Sequence, residues 1–411
     1  MLSRRCRVRN EVIIPRLMGQ HGPNRTDSAL IDLRTADNWF IKRFISHSSL
    51  HNKQEAISEN DLAYSQDVGG CYQLRAILTS LFKAHVCPGL AIDPSPVVLG
   101  AGGSYILDAL IEVTCDEGDL VMVATPYWSG LDLCISVHNS AAVLPVHIPL
   151  HHFFSLESVS YHLKALQDST LLVKAVLICN PHNPLGGCYP LETLKAMATF
   201  CYDHNLHLIS DEVYALSLHR ETTGAKHTIV SALQMLPLPF LHVVYSVSKD
   251  FGCNGIRLGA LMSLNQAVCM SVALSTHSQL SSVTTRFAID VVLQPRTIHL
   301  VLSGNRVYLE RNYSTVAQFL KRKHVEFYSA CAGFFLFAKL CSEDEKGFDT
   351  RLRQCGVALA TGTEYHFTEI GWFRICFAIP PWKLSQACGK IESALDSNEQ
   401  EGTEVVNKDR L

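Results

Sequence analysis

The stretch SVSKDFGCNGIRLG, Ser246–Gly259, places two serines, a lysine and an arginine within an otherwise apolar part of the chain. It is flanked by FLHVVY (240–245) and LGALM (258–262), two runs of the kind that form buried β-strands. A solvated surface segment would not be flanked by buried strands. The polar side chains of this stretch are therefore predicted to belong to a site at the end of a strand.

The composition of the chain indicates a globular protein with a large core. Of its 411 residues, 47% are hydrophobic and 18% are charged, and the net charge is −3. This charge gives no electrostatic footprint for nucleic acid or an anionic membrane, and no apolar run approaches the roughly 18 residues of a transmembrane helix. The fifteen cysteines are scattered, without C-x-x-C pairs or zinc-type spacing, so we expect reduced thiols, no metal site and a cytoplasmic protein.

Strand-like and helix-like segments alternate through the middle of the chain. Apolar β-branched runs such as DLVMVA (119–124) and KAVLICN (174–180) are separated by helical patterns such as LETLKAMATFCYDH (191–204). This alternation predicts an α/β fold with a mostly parallel central sheet covered by helices on both faces. In such sheets, ligands bind beyond the carboxyl ends of the strands.

The pattern changes towards both ends of the chain, which indicates a second, smaller α+β domain. A long helical stretch (297–323) is followed by two strand-like runs, GFFLFAKL and GWFRICFA. We expect an N-terminal segment, 1–60, that joins the small domain, a large ligand-binding domain at 61–290, and a C-terminal small domain at 291–411.

Polar and aromatic residues follow several of the predicted strands. GAGGSY (100–105) enters a helix and could bind an anion through free backbone N–H groups, although a tight turn is the simpler interpretation. It lacks the third glycine of a dinucleotide-binding loop, and ATPYW (124–128) offers no acidic residue, so a Rossmann-type site is disfavoured. Tyr127 and Trp128 either pack or form a platform for a flat ring. Asn183, in NPHNPLGG, offers an amide to a ligand or makes a turn.

Asp211 and Lys249 are the titratable residues that packing explains least. The Asp211 carboxylate ends an apolar strand in SDEVY and needs a cationic partner there, unless it only caps a helix. Lys249 follows the strand at 240–245, where burial should lower the pKa of its ammonium group and favour a neutral amine that can form an imine.

The side chains around the lysine suit a phosphate. Ser246, Ser248 and Arg257 supply hydroxyl and guanidinium donors. A phosphate-bearing aldehyde that forms an imine with lysine is pyridoxal 5′-phosphate (PLP), and this cofactor also needs an acid opposite its ring nitrogen, a role open to Asp211. The pattern therefore predicts a PLP site.

Five motifs together closely resemble the class I and II aminotransferases of PLP fold type I, in the branch that contains 1-aminocyclopropane-1-carboxylate (ACC) synthase. In chain order they are ATPYW, NPHNPLG, SDEVY, SVSKDFGCNGIRLG and GWFRICFA. The resemblance extends from about Ile31 to about Ala378. It implies the α/β fold of that family, PLP as the cofactor, and a homodimer in which both subunits line each site.

The resemblance also implies a role for each matching residue. Lys249 would bond to the cofactor and then move the Cα proton, and Asp211 would pair with the ring nitrogen. Asn183 and Tyr214 would hydrogen-bond the ring 3-oxygen, and Arg374 would bind the substrate α-carboxylate as a bidentate fork. Trp128 would stack on the cofactor ring. The phosphate would be held by Gly103, Ser104, Ser246, Ser248 and Arg257.

Three positions depart from the pattern of plant ACC synthases. Val68 stands where those enzymes have a tyrosine that reaches the neighbouring subunit's cofactor, and valine cannot donate a hydrogen bond. Asp37, expected to contact the substrate, stands where they have a glutamate that helps recognise a sulfonium compound. Asn254 replaces the usual proline of the lysine motif. The resemblance thus implies a preserved cofactor site and an altered substrate-facing part.

The implied function is an enzyme that acts at Cα of an amino acid or amino-acid conjugate, most simply an aminotransferase, in specialised (secondary) metabolism of the fungal type. Two alternatives stay open. A lyase would use the same deprotonation to expel a leaving group, by carbon–sulfur β-elimination or ACC synthase-type γ-elimination, although Val68 and Asp37 disfavour authentic ACC synthesis. A catalytically inactive protein of the same fold is the other alternative, which the presence of Lys249 and Asp211 disfavours.

Overall fold

A seven-stranded sheet forms the centre of the computed structural model, which describes Arg7 and residues 30–51, 57–64, 67–88, 93–220, 231–235 and 238–408. The strands are β1 (Ile31–Asp32), β2 (Val97–Gly100), β3 (Leu120–Thr125), β4 (Ala142–His147), β5 (Val173–Cys179), β6 (His207–Asp211), β7 (Leu241–Ser246), β8 (Gly259–Ser263), β9 (Phe327–Tyr328), β10 (Phe335–Lys339), β11 (Val357–Ala358), β12 (Ala360–Thr361) and β13 (Trp372–Cys376). The central sheet has the order β2-β8-β7-β6-β5-β3-β4. Its neighbouring strands are parallel except at β8, which is antiparallel to both β2 and β7, so the predicted mostly parallel sheet is confirmed.

Helices connect the strands and cover the central sheet. The longer ones are α1 (Trp39–His51), α2 (Tyr72–His85), α3 (Gly103–Thr114), α4 (Glu157–Asp168), α5 (Leu191–Asp203), α6 (Gln266–Ser275), α7 (Ser282–Phe287), α8 (Pro295–Leu302), α9 (Gly304–Arg322), α10 (Glu345–Gln354) and α11 (Pro381–Lys408). The long helical stretch predicted at 297–323 is divided between α8 and α9 at Ser303.

The central sheet is buried on both faces. Alternate side chains of a strand point to opposite sides, and in β3 the side chains on both sides are buried. In β3, Val121 and Val123 belong to one apolar cluster together with Ile106 of α3. Met122, between them, lies in a different cluster together with Met197 of α5. Burial on both sides explains why β3 is apolar throughout, which is the pattern that predicted a parallel strand.

A second sheet of four antiparallel strands, β12-β13-β10-β9, lies in the C-terminal part of the chain. It shares an apolar core with α9, α10 and α11, in which Leu320, Phe335 and Phe373 are fully buried or nearly so. The N-terminal segment returns to this part, because β1 pairs in parallel with β11 and sets Ile31 opposite Val357. The predicted domain boundaries stay a prediction.

Within the described ranges, no helix is both long and apolar enough to cross a membrane. The same ranges contain no group of three His, Cys, Asp or Glu residues that could hold a metal ion. They include fourteen cysteines, all of which are free thiols.

Candidate active site

The carboxyl ends of the parallel strands open onto a cavity of about 700 Å³. Residues that follow β3, β5, β6 and β7 line it, together with the start of α3, the segment 34–36 and part of β13. The predicted contact residues that line it are Gly103, Ser104, Trp128, Asn183, Asp211, Tyr214, Ser246, Ser248, Lys249, Arg257 and Arg374. Side chains that are far apart in the sequence therefore meet in one place, at the edge of the sheet where parallel α/β proteins bind ligands.

Lys249 lies in a single helical turn, Val247–Asp250, directly after β7. Its Nζ donates a hydrogen bond to the backbone oxygen of Ala36 at 3.0 Å. Burial, and then the nearby guanidinium of Arg374, lowers the pKa of Lys249 to about 8, which is the direction that the sequence predicted. The side chain is therefore an amine that can lose its proton near neutral pH.

Asp211 is buried at the end of β6, and its carboxylate lines the cavity. Its Oδ1 accepts a hydrogen bond from the backbone N of Val213 at 3.3 Å, which is a turn contact rather than a helix cap. Burial raises the pKa of Asp211 to about 6, against the lowering effects of this hydrogen bond and of Lys249. The adjacent Glu212 is not part of the lining, and it accepts a hydrogen bond from the backbone N of Ala232 at 2.8 Å.

The start of α3 and the stretch after β7 form a cluster of hydrogen-bond donors. Gly102, at φ +98°, precedes Gly103, the first residue of the helix. A Cβ at Gly102 would lie only 2.2 Å from Nη2 of Arg257, so the guanidinium occupies the space that a side chain would need. The hydroxyl oxygens of Ser246 and Ser248 lie 2.7 Å apart. A helix N-terminus, a guanidinium and two hydroxyls together suit an anion such as phosphate.

The aromatic residues of the cavity differ in how far they are buried. Trp128 keeps 37% of its surface exposed, so its indole is available as a platform for a flat ring. Tyr127 instead packs on His366, with ring centroids 4.2 Å apart, and donates a hydrogen bond to Asp132 Oδ1 at 2.9 Å. Tyr214 is buried, and burial raises the pKa of its hydroxyl, which therefore stays protonated and able to donate.

Arg374 is a buried guanidinium in β13, with 4% of its surface exposed. Its Nη1 donates to Asn183 Oδ1 at 2.8 Å, and its Nη2 donates to the backbone oxygen of Arg34. Its Cζ lies 5.0 Å from the ring centroids of both Phe335 and Tyr365. Its Nε is buried and has no hydrogen-bond partner among the described residues. A buried cation with a planar fork of donors is suited to a carboxylate.

Two residues singled out in the sequence lie outside the lining of this cavity. Asp37 Oδ2 pairs with Lys42 Nζ at 2.7 Å, and Asp37 does not line the cavity. Val68 is exposed and does not line the cavity. The predicted contact between Asp37 and the substrate therefore stays a prediction.

Several residues of the cavity were not predicted from the sequence. The segment 34–36 supplies two backbone oxygens, which accept hydrogen bonds from Lys249 and Arg374. The unpredicted side chains include Arg34, Asp349, Arg353, Glu364 and Tyr365. No local motif marks these residues, because a backbone oxygen is common to all residues and the side chains meet only in the folded chain.

Comparison with known proteins gives consistent matches over most of the chain. The family model "Aminotransferase class I and II" matches residues 30–391. A protein named probable aminotransferase tcpI, from Claviceps purpurea (strain 20.1), is 44% identical over 408 residues, which cover 96% of this chain and 96% of that protein. The 1-aminocyclopropane-1-carboxylate synthase 7 of Arabidopsis thaliana is 28% identical over 353 residues, or 82% of this chain and 79% of that protein.

A solved structure shares the same fold. It is a single mutant of the aspartate aminotransferase of Thermus thermophilus, with a TM-score of 0.75 and 21% sequence identity. The match covers 96% of this chain and 99% of that chain. At this identity, the similarity establishes the fold alone.

Proposed function

The chain belongs to the class I and II aminotransferase family, and on that premise we propose that it transfers the amino group of an amino acid, acting at Cα with pyridoxal phosphate. Membership confirms the predicted family, the predicted enzyme class and the predicted cofactor. The similarity to a solved aspartate aminotransferase confirms the predicted fold type, and the similarity to an ACC synthase agrees with the predicted branch.

The cavity residues fit this cofactor through the chemistry of their donors. The N-terminus of α3, Arg257 and the two serine hydroxyls suit its phosphate, and the carboxylate of Asp211 suits a protonated ring nitrogen. Gly102 supports the fit, since a Cβ there would displace the guanidinium of Arg257. Lys249 supplies the amine. When bound, the cofactor withdraws the electrons that remain on Cα after its proton is removed.

Three side chains would divide the work of the reaction. Lys249 is suited to take the proton from Cα with its Nζ, because a pKa of about 8 leaves neutral amine available near neutral pH. Asp211, with a pKa of about 6, is mostly ionised at neutral pH and would keep the ring nitrogen protonated. Arg374 would hold the α-carboxylate in its guanidinium fork and so fix the orientation of Cα.

One observation carries this proposal: Lys249, with its lowered pKa, lines the same cavity as the buried fork of Arg374. The test is to load the purified protein with pyridoxal phosphate, reduce it with borohydride and map the modified residue. We expect a visible absorption band and a stable adduct on Lys249, and the variant Lys249→Ala should lose the adduct. An adduct that persists in this variant would contradict the assignment.

A lyase is the second candidate, favoured by the 28% identity with an ACC synthase. Both reactions begin when Lys249 removes the Cα proton, so only the products separate them. The loaded enzyme should be incubated with a cysteine S-conjugate and a keto-acid acceptor. Amine transferred stoichiometrically to the acceptor indicates an aminotransferase, whereas a keto acid formed with free thiol and ammonia indicates elimination.

We also propose that the protein is a homodimer. Large apolar side chains are exposed in an N-terminal stretch, with Leu62 77% and Tyr64 85% exposed. This stretch is fixed against α7 by the ion pair between Arg286 Nε and Asp61 Oδ1 at 2.7 Å. Such exposed apolar side chains are typical of a surface that a partner subunit covers. Light scattering after size-exclusion chromatography tests this, and a monomer at micromolar concentration would contradict it.

A role in fungal specialised metabolism and a cytoplasmic location belong to the same proposal. The first is supported by the 44% identity with a probable aminotransferase of Claviceps purpurea. The second is supported by the fourteen free thiols of the described chain, which suit a reducing compartment. Metabolite profiles of a deletion strain and fractionation of cell extracts would test the two parts separately.

A further inference from the structure

Two ion pairs line the cavity outside the predicted cofactor contacts. Arg34 Nη2 donates to both carboxylate oxygens of Glu364 at 3.0 Å. Arg353 Nε donates to Asp349 Oδ2 at 2.9 Å. All four residues line the cavity that also contains Lys249. They are brought together from the N-terminal segment, from α10 and from the turn that follows β12, so they form a wall built by three separate parts of the chain.

This wall adjoins the fork that is suited to the substrate carboxylate. The backbone oxygen of Arg34 accepts a hydrogen bond from Arg374. Tyr365, the residue after Glu364, has its ring centroid 5.0 Å from Arg374 Cζ. A substrate whose α-carboxylate is held by Arg374 therefore has the charges of this wall among its nearest neighbours.

Each charged group of the wall is already paired with a group of opposite charge, which limits what the wall can offer a ligand. The guanidinium groups of Arg34 and Arg353 are each neutralised by a carboxylate of the wall itself. Asp349 Oδ1 is buried and accepts no hydrogen bond from any residue that the structure describes. Burial raises the pKa of Glu364, the Arg34 guanidinium opposes this rise, and the weaker effect of the Asp349 charge adds to it. The two cations of the wall balance its two anions, so a further carboxylate would find no unused positive charge in the wall, whereas the partly exposed carboxylates of Asp349 and Glu364 can still accept hydrogen bonds.

We propose that this wall selects amino acids whose side chain carries a hydrogen-bond donor, such as an amide, a hydroxyl or an ammonium group, and that it excludes dicarboxylic amino acids. The inference rests on the proposed function, because the wall belongs to the same cavity. A donor on the substrate side chain would bond to the exposed part of the Asp349 or Glu364 carboxylate. A second carboxylate would instead have to compete with Asp349 and Glu364 for Arg353 and Arg34, with which these two residues are already paired. These two residues would then determine specificity.

Glutamine and glutamate are matched probes of this proposal, because they have nearly the same shape and differ in charge. Their dissociation constants can be measured at pH 8 from the change that each causes in the visible band of the PLP-loaded protein. We expect glutamine to bind at least about tenfold more tightly than glutamate. The variant Glu364→Gln leaves the charge of Arg34 without its partner, so the preference for glutamine should fall by about tenfold or more.

Glu369→Gln is the matched control, because Glu369 also pairs with a cation, Lys339, but lies outside the cavity lining. It should leave the ratio of the two dissociation constants unchanged. Asp349→Asn should also reduce the preference for glutamine over glutamate. It is the variant to use if Glu364→Gln loses the visible band.

Equal dissociation constants for glutamine and glutamate in the unaltered protein would overturn the proposed substrate class. So would the absence of measurable binding of both amino acids. An unchanged ratio in a variant of the wall that keeps its visible band would overturn it as well. Failure of the proposed function gives a different result, since the protein would then show neither the visible band nor the adduct on Lys249.

Discussion

The Nζ of Lys249 donates a hydrogen bond to the backbone oxygen of Ala36 at 3.0 Å, although 213 positions separate these residues along the chain. The same segment supplies the backbone oxygen of Arg34 to Arg374. Asp32 shapes this segment, because its Oδ1 accepts a hydrogen bond from the backbone N of Arg34 at 2.8 Å. The N-terminal segment therefore positions both the amine of Lys249 and the guanidinium of Arg374.

Asp32→Ala should raise KM for the amino-acid substrate by about tenfold, with a smaller effect on kcat, because the released turn no longer presents the Arg34 oxygen to Arg374. Steady-state kinetics of the loaded enzyme measure this split. Asp93→Ala is the control, since Asp93 also accepts a backbone hydrogen bond in a turn, from Ser95 N at 3.1 Å, but does not line the cavity. Equal KM values for the two variants would contradict the positioning role.

Lys249→Met should stabilise the cofactor-free protein at pH 7 by about 3 kcal/mol. The folded pKa of Lys249, about 8, lies below its ordinary value of 10.5, so folding at neutral pH must bury an unfavourable charge. Between these two values the unfolded chain binds more protons than the folded chain, and the stability of the unaltered protein rises with pH through this window. The difference between the two proteins should therefore shrink through this window and vanish only above the ordinary pKa of 10.5. Urea unfolding at pH 7 and pH 10 measures it, and a difference that does not depend on pH would exclude the buried lysine as its cause.

Arg374→Lys should lower kcat/KM by at least about 100-fold while the visible band of the cofactor is kept, because an ammonium group cannot reproduce the two-pronged contact with a carboxylate. Kinetics with a reactive amino acid, together with the absorption spectrum, provide both readouts. Arg296→Lys is the control. The Arg296 guanidinium carbon lies 5.5 Å from the centroid of the Phe44 ring and Arg296 does not line the cavity, so this variant should leave both kcat/KM and the visible band unchanged. A loss of the band in Arg374→Lys would instead indicate a role in holding the cofactor.

Gly102→Ala and Gly118→Ala separate backbone strain from crowding. Both glycines have positive φ, +98° and +91°, so each alanine should destabilise the protein by about 1 kcal/mol. Only the Cβ at position 102 meets Arg257, at 2.2 Å, whereas the one at 118 has no neighbour within 4 Å. Gly102→Ala should therefore weaken pyridoxal phosphate binding by at least about tenfold, and Gly118→Ala should not. Spectroscopic titration of the cofactor-free proteins decides this, and equal affinities would refute the role given to Arg257.

The main polar residues of the site could be predicted because their side chains conflict with their surroundings. Lys249 and Asp211 lie at the ends of apolar strands, where a charge is costly unless it has a partner or a ligand. Arg374 stands between Phe373 and Ile375 in a strand-like run. Such conflicts are visible in a single sequence, and they tend to mark functional sites.

The other features depend on geometry that no local pattern records. Glu364 and Arg34 are separated by 330 positions, and Ala36 contributes only a backbone oxygen. The run LGALM predicted a strand but not its direction. The connection from β7 to β8, residues 247–258, contains only a short turn of α-helix and a 3₁₀ turn, rather than the helical crossover that a parallel neighbour usually requires.

The acceptors at positions 34 and 36 are main-chain atoms, and every amino acid carries them. Mutations at these two positions can therefore exchange the side chains near the bound compound and still leave hydrogen-bond acceptors for Lys249 and Arg374. The segment is thus a place where evolution can alter what the protein accepts independently of what it does.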